Sequence, residues 1–379
     1  MTTIYLIRHA EAEGNLYRRI HGHYDSLLTQ TGLKQAAALA ERFRQVPLDA
    51  CYSSDLVRAY QTAKALCQGR DLTIVRDRRL RERGVGEWED QCFGWAEHFY
   101  PEQMAAYVAG AEDFGVPCAE TASHAVRRFL AVLHETAERH QGQSVALVTH
   151  SMILSLVLRN LFPETELPRS DNTGVTTLSW DRGAFRLVNA GDISHLPEEL
   201  STFARQRWWR ENGRSSEFNL WFRPYDGARQ PFIAMREDAW QLIYGSTMGL
   251  DAEGFYEELQ NILRYHPDAA AYAMLGDRTV GFIELKPAQE KLKGIGHISF
   301  VYLCPEERNK GIGPQLIGYA TSVYRRKNRK KLQLAVAPHN AHALHMYEKL
   351  GFTRMGAFPG RFNDLYLMRK RIDPAPDQK

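Results

Sequence analysis

Ile4-Tyr5-Leu6-Ile7-Arg8-His9 opens the chain with a short apolar, β-branched run that ends in a cation and an imidazole. Ile4 to Ile7 fits a strand buried on both faces of a parallel sheet. Such a strand delivers Arg8 and His9 at its carboxyl end, where ligands bind in open α/β sheets. The same pattern recurs further along. Thr29 is placed to cap a helix whose apolar face is Leu33, Ala36, Ala37, Ala40 and Phe43. A strand over Ala50 to Ser53 leads into a helix that Ser54 or Asp55 caps and that carries Arg58 in its first turn. A third strand, Val145 to Thr149, ends at His150 before an apolar helix from Met152 to Leu161. Three strand ends thus present Arg8 with His9, Arg58, and His150, and the alternation predicts a doubly wound α/β domain.

The chain has 379 residues, beyond the roughly 250 to 300 at which single cores stop growing, so two domains are expected. With 44% hydrophobic and 25% charged residues, and neither repeats nor low-complexity tracts, the composition is that of a globular protein. A net charge of +3 argues against bulk affinity for nucleic acid or membranes. Cys51, Cys67, Cys92, Cys118 and Cys304 show no CxxC spacing and read as buried or idle thiols of a reducing compartment. The start, Met1 to Tyr5, lacks the regions of a signal peptide, and the longest apolar stretch, Val145 to Phe162, is broken by His150 and Arg159. A cytoplasmic protein is expected.

The residue types of the first half point to phosphoryl chemistry. A neutral imidazole is a good nucleophile near neutral pH, so His9 is suited to attack phosphorus and carry the group covalently. Charge on the equatorial oxygens of the transition state calls for fixed cations, which two guanidiniums and a protonated second histidine supply. Glu82, in Leu80-Arg81-Glu82-Arg83-Gly84, is a candidate to protonate the leaving oxygen. No metal is called for if the arginines do the neutralising. Residues 1 to about 195 resemble the histidine phosphatase superfamily, the phosphoglycerate mutase-like fold. The matches are Arg8-His9, Asn15, Gly22 with Asp25-Ser26 and Leu28-Thr29, Gly32 with Gln35-Ala36, Ser53 to Leu56 with Arg58-Ala59, Glu82 with Gly86 and Trp88-Glu89, and Val148-Thr149-His150. The resemblance implies that His9 is the nucleophile, that Arg8, Asn15, Arg58 and His150 bind phosphate, and that Glu82 is the proton donor. His21 and Gly22 fall where the family places substrate-contacting groups, and His21 and His23 read equally well as solvated loop residues. Ala10, Asp90 and Ser151 stand where that family commonly has glycine.

Between Pro197 and Arg229 the chain is rich in arginine and tryptophan: Arg205, Arg207, Trp208, Trp209, Arg210, Arg214, Trp221 and Arg223. Tryptophans suit a packed helix better than a loose tether. The expected organisation is a first domain over 1–197, a helical linker over 198–217 and a second domain over 218–372, with a strand from Asn219 to Pro224.

In the second half, Ala271 to Leu275 and Val280 to Lys286 alternate around Gly276-Asp277, a β-hairpin signal. A strand from His297 to Leu303 runs into Arg308-Asn309-Lys310-Gly311-Ile312-Gly313-Pro314 and an apolar helix, Leu316 to Tyr324. A strand, a glycine-bearing turn and a helix amino terminus make an anion cradle, because unpaired N–H groups converge there. Another strand, Leu332 to Val336, precedes Asn340, Ala343, Tyr347, Gly351 and Phe352. The turn and the later spacing are similar to the GNAT-type N-acetyltransferase family. That resemblance implies an α+β domain with a mixed, mostly antiparallel sheet, and acetyl-coenzyme A as cofactor. The backbone of Val301, Tyr302 and Leu303 would then pair with pantetheine, Arg308, Asn309, Lys310, Gly311, Ile312 and Gly313 would bind pyrophosphate, Asn340 would line the cleft, and Tyr347 would protonate the departing thiolate. His297 to Leu303 carries no carboxylate, so the general base is Glu284 or His297. The run Arg325 to Lys331 reads as a solvated helix end.

The expectation for the whole chain is a bifunctional enzyme: a metal-independent phosphomonoesterase acting on a small phosphorylated metabolite, joined to an acetyl-coenzyme A dependent transferase acting on an amine. The alternatives are an active phosphatase with a coenzyme A-binding regulatory domain, and a mutase-type phosphotransferase. Little insertion separates Glu89 from His150, which favours hydrolysis over mutase chemistry.

Overall fold

The computed structural model describes residues 1–206, 217–360 and 363–374. Two units separate, one of Met1–Gln91, Ala96–Ser215 and Pro374–Lys379, the other of Cys92–Trp95 and Ser216–Asp373. The linker residues Arg207, Trp208, Trp209, Arg210 and Arg214 lie outside the described residues. No described helix is long and apolar enough to cross a membrane.

In the first unit β1 (Thr2–Arg8), α1 (Gln30–Phe43), β2 (Ala50–Ser53), α2 (Val57–Leu66) and β3 (Ile74–Arg76) alternate, as expected of a doubly wound domain. Two helices, α3 (Phe93–Phe99), whose residues 93–95 are assigned to the other unit, and α4 (Pro101–Ala109), then precede α5 (Ala122–Arg139), β4 (Ser144–Thr149) and α6 (Ser151–Leu161). β5 (Val175–Asp181) and β6 (Ala184–Asp192) complete the sheet. Among the described residues it has six strands in the order β3-β2-β4-β1-β5-β6. β4 pairs with β1 and β2, and β2 with β3, all in parallel, whereas β5 and β6 add antiparallel.

Alternate residues of the central strands feed separate cores, because successive side chains leave a strand on opposite faces. Ile4, Leu6, Val145 and Leu147 pack with Phe129, Leu133 and Val157 of α5 and α6. Ile7, Ala146 and Val148 pack with Leu39, Phe43, Ala63 and Leu66 of α1 and α2. Helices therefore cover both faces, and the carboxyl ends of β1, β2 and β4 are left for the site.

Two local expectations are corrected. The buried stripe of α1 is Gly32, Gln35, Ala36, Leu39 and Phe43, while Leu33 and Ala37 face solvent. The helix is turned because Gln35 binds inward: its Oε1 accepts from Glu11 N (2.7 Å) and its Nε2 donates to Leu200 O (2.7 Å). Thr29 does cap α1, accepting from Gly32 N at 2.9 Å. At α2 the residue in the cap position is Leu56, and the carboxylate that meets Val57 N (2.8 Å) is Asp25, from a distant loop. Asp55 is drawn instead into two 2.6 Å hydrogen bonds from Arg81.

The second unit contains β7 (Trp221–Pro224), α7 (Arg229–Tyr244), α8 (Ala252–Leu263), β8 (Ala270–Leu275), β9 (Arg278–Lys286) and β10 (Ile295–Leu303). It continues with α9 (Pro314–Arg326), β11 (Lys331–Val336), α10 (Ala341–Lys349), β12 (Thr353–Pro359) and β13 (Asp364–Arg371). Its seven described strands run β12-β13-β11-β10-β9-β8-β7. β10 and β11 form the single parallel pair, so the sheet is mixed and mostly antiparallel. β8 and the body of β9 are buried nearly throughout instead of alternating, since side chains on both faces of these strands are covered. The predicted strand from Asn219 begins at Trp221.

Candidate active sites

In the first unit the structure gathers Arg8, His9, His21, Arg58, Glu82 and His150. The His9 ring lies 5.1 Å from that of His150 and 5.9 Å from that of His21, centroid to centroid. Nδ1 of His9 donates to Ala10 O at 2.7 Å, since a carbonyl can only accept. That fixes the tautomer and leaves the Nε2 lone pair for a reacting atom. Burial first, then the positive charges of Arg58 and Arg8, hold His9 well below the usual histidine range, so the ring is neutral at physiological pH. His150 and His21 are lowered by the same two causes, burial and then Arg58.

The clamp is held from behind. Arg8 Nη1 donates to Ser170 O (2.6 Å), and Arg58 donates to the carbonyls of Tyr24, His21 and Gly22 at 2.9, 3.2 and 2.7 Å. Arg58 Nε, Arg8 Nε and both ring nitrogens of His150 are buried without a hydrogen-bond partner among the described residues. A buried polar group left unpaired costs about 1–3 kcal/mol. Arg58 Nε, Arg8 Nε and the one ring N–H of His150 are donors beside a single imidazole, and an anion bound there would pair with them.

Asn15 and Glu82 occupy less simple places. Asn15 Oδ1 accepts from Ala12 N at 2.9 Å, closing the turn Glu13–Leu16. Both Glu82 oxygens accept backbone N–H bonds: Oε1 from Arg83 (2.9 Å) and Ile153 (2.7 Å), Oε2 from Met152 (3.0 Å). The carboxylate thus sits on the amino end of α6. His23 Nε2 reaches the Glu82 carbonyl at 2.9 Å, a structural contact. Asp90 adopts the left-handed φ of 63° that glycine would take, and its Oδ1 accepts from Arg19 Nε at 2.6 Å.

A supporting segment escaped the sequence reading. Ser170 O holds Arg8, Asn172 Nδ2 donates to His9 O (2.8 Å), and Thr173 N donates to Arg8 O (3.1 Å). Buried Asp171 accepts from Ser201 Oγ (2.6 Å) and supplies the largest negative field at Arg8. Asp171-Asn172-Thr173-Gly174 carries an ordinary turn composition, which hides this role. Its position just before β5, the neighbour of β1, is the available signal.

In the second unit β10 pairs with β11 only from Ile295 to Ile298, then follows β9 alone to Leu303 after a bulge between Ile298 and Phe300. The backbone of Val301 to Leu303 therefore presents one edge without a strand partner among the described residues. Beyond it, Gly311 has φ of 80°, and the N–H groups of Gly311, Ile312 and Gly313 have no partner among the described residues. A Cβ on Gly313 would lie 2.9 Å from Met346 Sδ, so a side chain there would press into α10. Pro314 begins α9. This edge and these amides fit a pantetheine chain and a pyrophosphate.

The charged residues of the cradle are partnered internally. Arg308 pairs with Asp238 and donates from Nε to Leu303 O (2.8 Å), and Lys310 binds Glu307 at 3.0 Å. Asn340 caps α10, accepting from Ala343 N at 3.2 Å. Tyr347 is buried against Phe352, and burial raises its phenol, keeping the proton on oxygen. Glu284 is buried in an ion pair with Arg236, whose guanidinium lies 3.9 Å from the Phe300 ring centre. His297 lies within the paired part of β10, is lowered by burial, and has a buried Nδ1 without a partner among the described residues.

Comparison with known proteins agrees with this geometry. The profile of the histidine phosphatase superfamily (branch 1) matches residues 4–193, and that of the GNAT acetyltransferase family matches residues 233–352. The probable phosphoglycerate mutase GpmB of Yersinia pestis (strain Pestoides F) is 33% identical over 206 residues, 52% of this chain and 95% of its own length. The protein of that name from Yersinia pseudotuberculosis serotype O:1b (strain IP 31758) matches equally. Among solved structures, Bacillus stearothermophilus YhfR is 31% identical with a TM-score of 0.50, covering 52% of this chain and 99% of its own.

Proposed function

This chain belongs to the histidine phosphatase superfamily and carries a GNAT acetyltransferase domain, and from that premise we propose a bifunctional enzyme that hydrolyses a small phosphomonoester and acetylates an amine. The observation that carries the first activity is the ring of buried, unpartnered nitrogens of Arg8, Arg58 and His150 around a neutral His9. His9 Nε2 attacks phosphorus, the phosphorus–oxygen bond to the alcohol breaks as Glu82 gives its proton to the leaving oxygen, and a phosphohistidine forms. Arg8 and Arg58 neutralise the equatorial oxygens and His150 donates a hydrogen bond to them, with Asn15 and Gly22 at the rim. Water then attacks the phosphohistidine, its proton passing to Glu82, and the electron pair of the nitrogen–phosphorus bond returns to His9.

For the second activity, Val301 to Leu303 and residues 308–313 would hold coenzyme A, which when bound supplies an activated acetyl thioester. Tyr347 keeps a proton at its phenolic oxygen. Of the two candidate bases we favour Glu284, because it lies opposite Phe300 where β10 bulges away from β11.

Two observations support other readings. The internal pairing of Arg308 and Lys310 suits a second domain that binds coenzyme A and regulates without transferring acetyl. The likeness to Yersinia proteins named as probable phosphoglycerate mutases suits phosphoryl transfer between acceptors. A metal-free screen of phosphorylated metabolites, recording phosphate release and free thiol with and without acetyl-coenzyme A, separates the three. Phosphate and thiol both appearing is the expected result. Phosphate alone favours the regulatory reading, and phosphoryl exchange without net release favours the mutase.

A further inference from the structure

We propose that Ser201 and Arg205 are positioning residues for the phosphate clamp: the short strap that carries them engages the two carboxylates behind Arg8 and so leaves that guanidinium to the phosphate. The assignment rests on the phosphatase reading above and adds to the clamp a segment that the sequence assigns to the linker.

Arg8 is surrounded by anions of the protein as well as facing the pocket. Asp171, Glu82 and Glu11 all act on it, Asp171 most strongly. Asp171 and Glu11 are buried, where salt and water screen charge poorly. A buried carboxylate that lacks a partner of its own is costly and draws a nearby cation. For Arg8 that pull competes with the phosphoryl oxygens, because the same N–H groups would be asked to serve both.

The strap meets each of these carboxylates. Ser201 Oγ accepts from Ala204 N at 3.0 Å, capping the turn Thr202–Arg205, and donates its own proton to Asp171 Oδ2 at 2.6 Å. Phe203 N donates to the same oxygen at 3.3 Å. Arg205 pairs with Glu11 Oε2, to which Thr202 Oγ1 also donates at 3.2 Å. The Phe203 ring centre lies 5.8 Å from the guanidinium carbon of Arg8, within cation–π reach. Gln35 Nε2 fastens the strap to α1 through Leu200 O at 2.7 Å and Thr202 Oγ1 at 3.0 Å. One helical turn thus touches Asp171, Glu11 and Arg8 together.

Arg205 reaches its partner from outside. Its side chain is 33% exposed and that of Glu11 only 3%, so Arg205 can be replaced without opening the core. With Arg205 gone, Glu11 keeps the hydroxyls of Thr29 and Thr202 but no cation from the strap. Arg8, three residues away in sequence, is then the cation it draws on. The strap also opens the stretch of chain that leads to Ser216, where the main part of the second unit begins.

Binding of inorganic phosphate to the full chain, measured by calorimetry, tests the assignment through two double-mutant cycles. Arg205→Gln is expected to raise the phosphate Kd on the order of 3- to 30-fold, the span of coupling between groups in one network. In a Glu11→Gln background no carboxylate is left there to compete for Arg8, and the same change is expected to move Kd by no more than about twofold. Ser201→Ala, with and without Asp171→Asn, repeats the comparison at the other carboxylate and carries the test if Glu11→Gln does not fold. Losses that simply add, as independent charges would give, or a Kd unchanged by Arg205→Gln, would overturn the proposal. Melting temperatures of the same samples supply the control, since a strap with a structural role alone would lower them and leave the phosphate Kd where it was. If the wild type neither binds phosphate nor releases it from p-nitrophenyl phosphate, the phosphatase reading itself fails. Binding with the wrong variant pattern removes only the strap assignment.

Discussion

At the scale of single residues, the site is made by what surrounds each group more than by its type. His9 and His150 are both buried beside Arg58, yet only His9 has a carbonyl, that of Ala10, to hold its Nδ1 proton. The first is thereby set up as a nucleophile and the second is left with an unpaired ring N–H for an anion. His150→Gln is therefore expected to lower kcat on p-nitrophenyl phosphate by roughly 100- to 1,000-fold, the usual loss for one oxyanion donor, with steady-state kinetics as the measure. A change within a few-fold would remove His150 from the clamp. Arg8, His9, Arg58, Glu82 and His150 were all legible in the sequence, because each stands at a strand end or a short motif. Asp171 and Asn172 were not, since their partners Arg8 and His9 lie more than 160 positions away and nothing local marks a turn residue as a support.

Elements were legible where local chemistry decides them. Thr29 caps α1 through its own side chain, and the apolar runs of β1, β2 and β4 became strands within a residue or two of their expected limits. Reading failed where a long-range contact outweighed the local signal. The α1 stripe rotated because Gln35 is used as a buried polar link to Glu11 and Leu200. The α2 cap passed to Asp25, because the loop from His21 to Tyr24 is pulled onto α2 by Arg58. Asp25→Ala is accordingly expected to cost about 1–2 kcal/mol, the typical worth of a cap, and to weaken phosphate binding through Arg58. Ser54→Ala should cost less, as its contact with Leu56 N is 3.3 Å. Denaturant unfolding checks both, and the reverse order would return the cap to Ser54.

For the whole molecule, two units each complete a sheet and a core of their own. The domain limits 1–197, 198–217 and 218–372 stand as proposals. Proton linkage gives a prediction at this scale. His9, His21 and His150 all have folded-state values below 6.5. Above that pH neither state carries these protons; below it the unfolded chain takes them up and the folded chain does not. Stability should therefore fall as pH drops through 6.5, by up to about 1.4 kcal/mol per pH unit for each histidine. Inorganic phosphate should reverse part of the loss by favouring the protonated rings. Thermal unfolding between pH 7.5 and 5.5 measures this, and a slope unchanged in His150→Gln would speak against it.

The central claim is that His9 carries the phosphoryl group. The most direct measurement is the intact mass of the protein quenched at alkaline pH, where phosphohistidine survives, during turnover of p-nitrophenyl phosphate. The account predicts one added phosphoryl group in the wild type, mapped to His9, and none in His9→Ala, which should also release no phosphate yet bind acetyl-coenzyme A unchanged. Phosphate release at an undiminished rate by His9→Ala, or a phosphoryl group mapped to another residue, would contradict it.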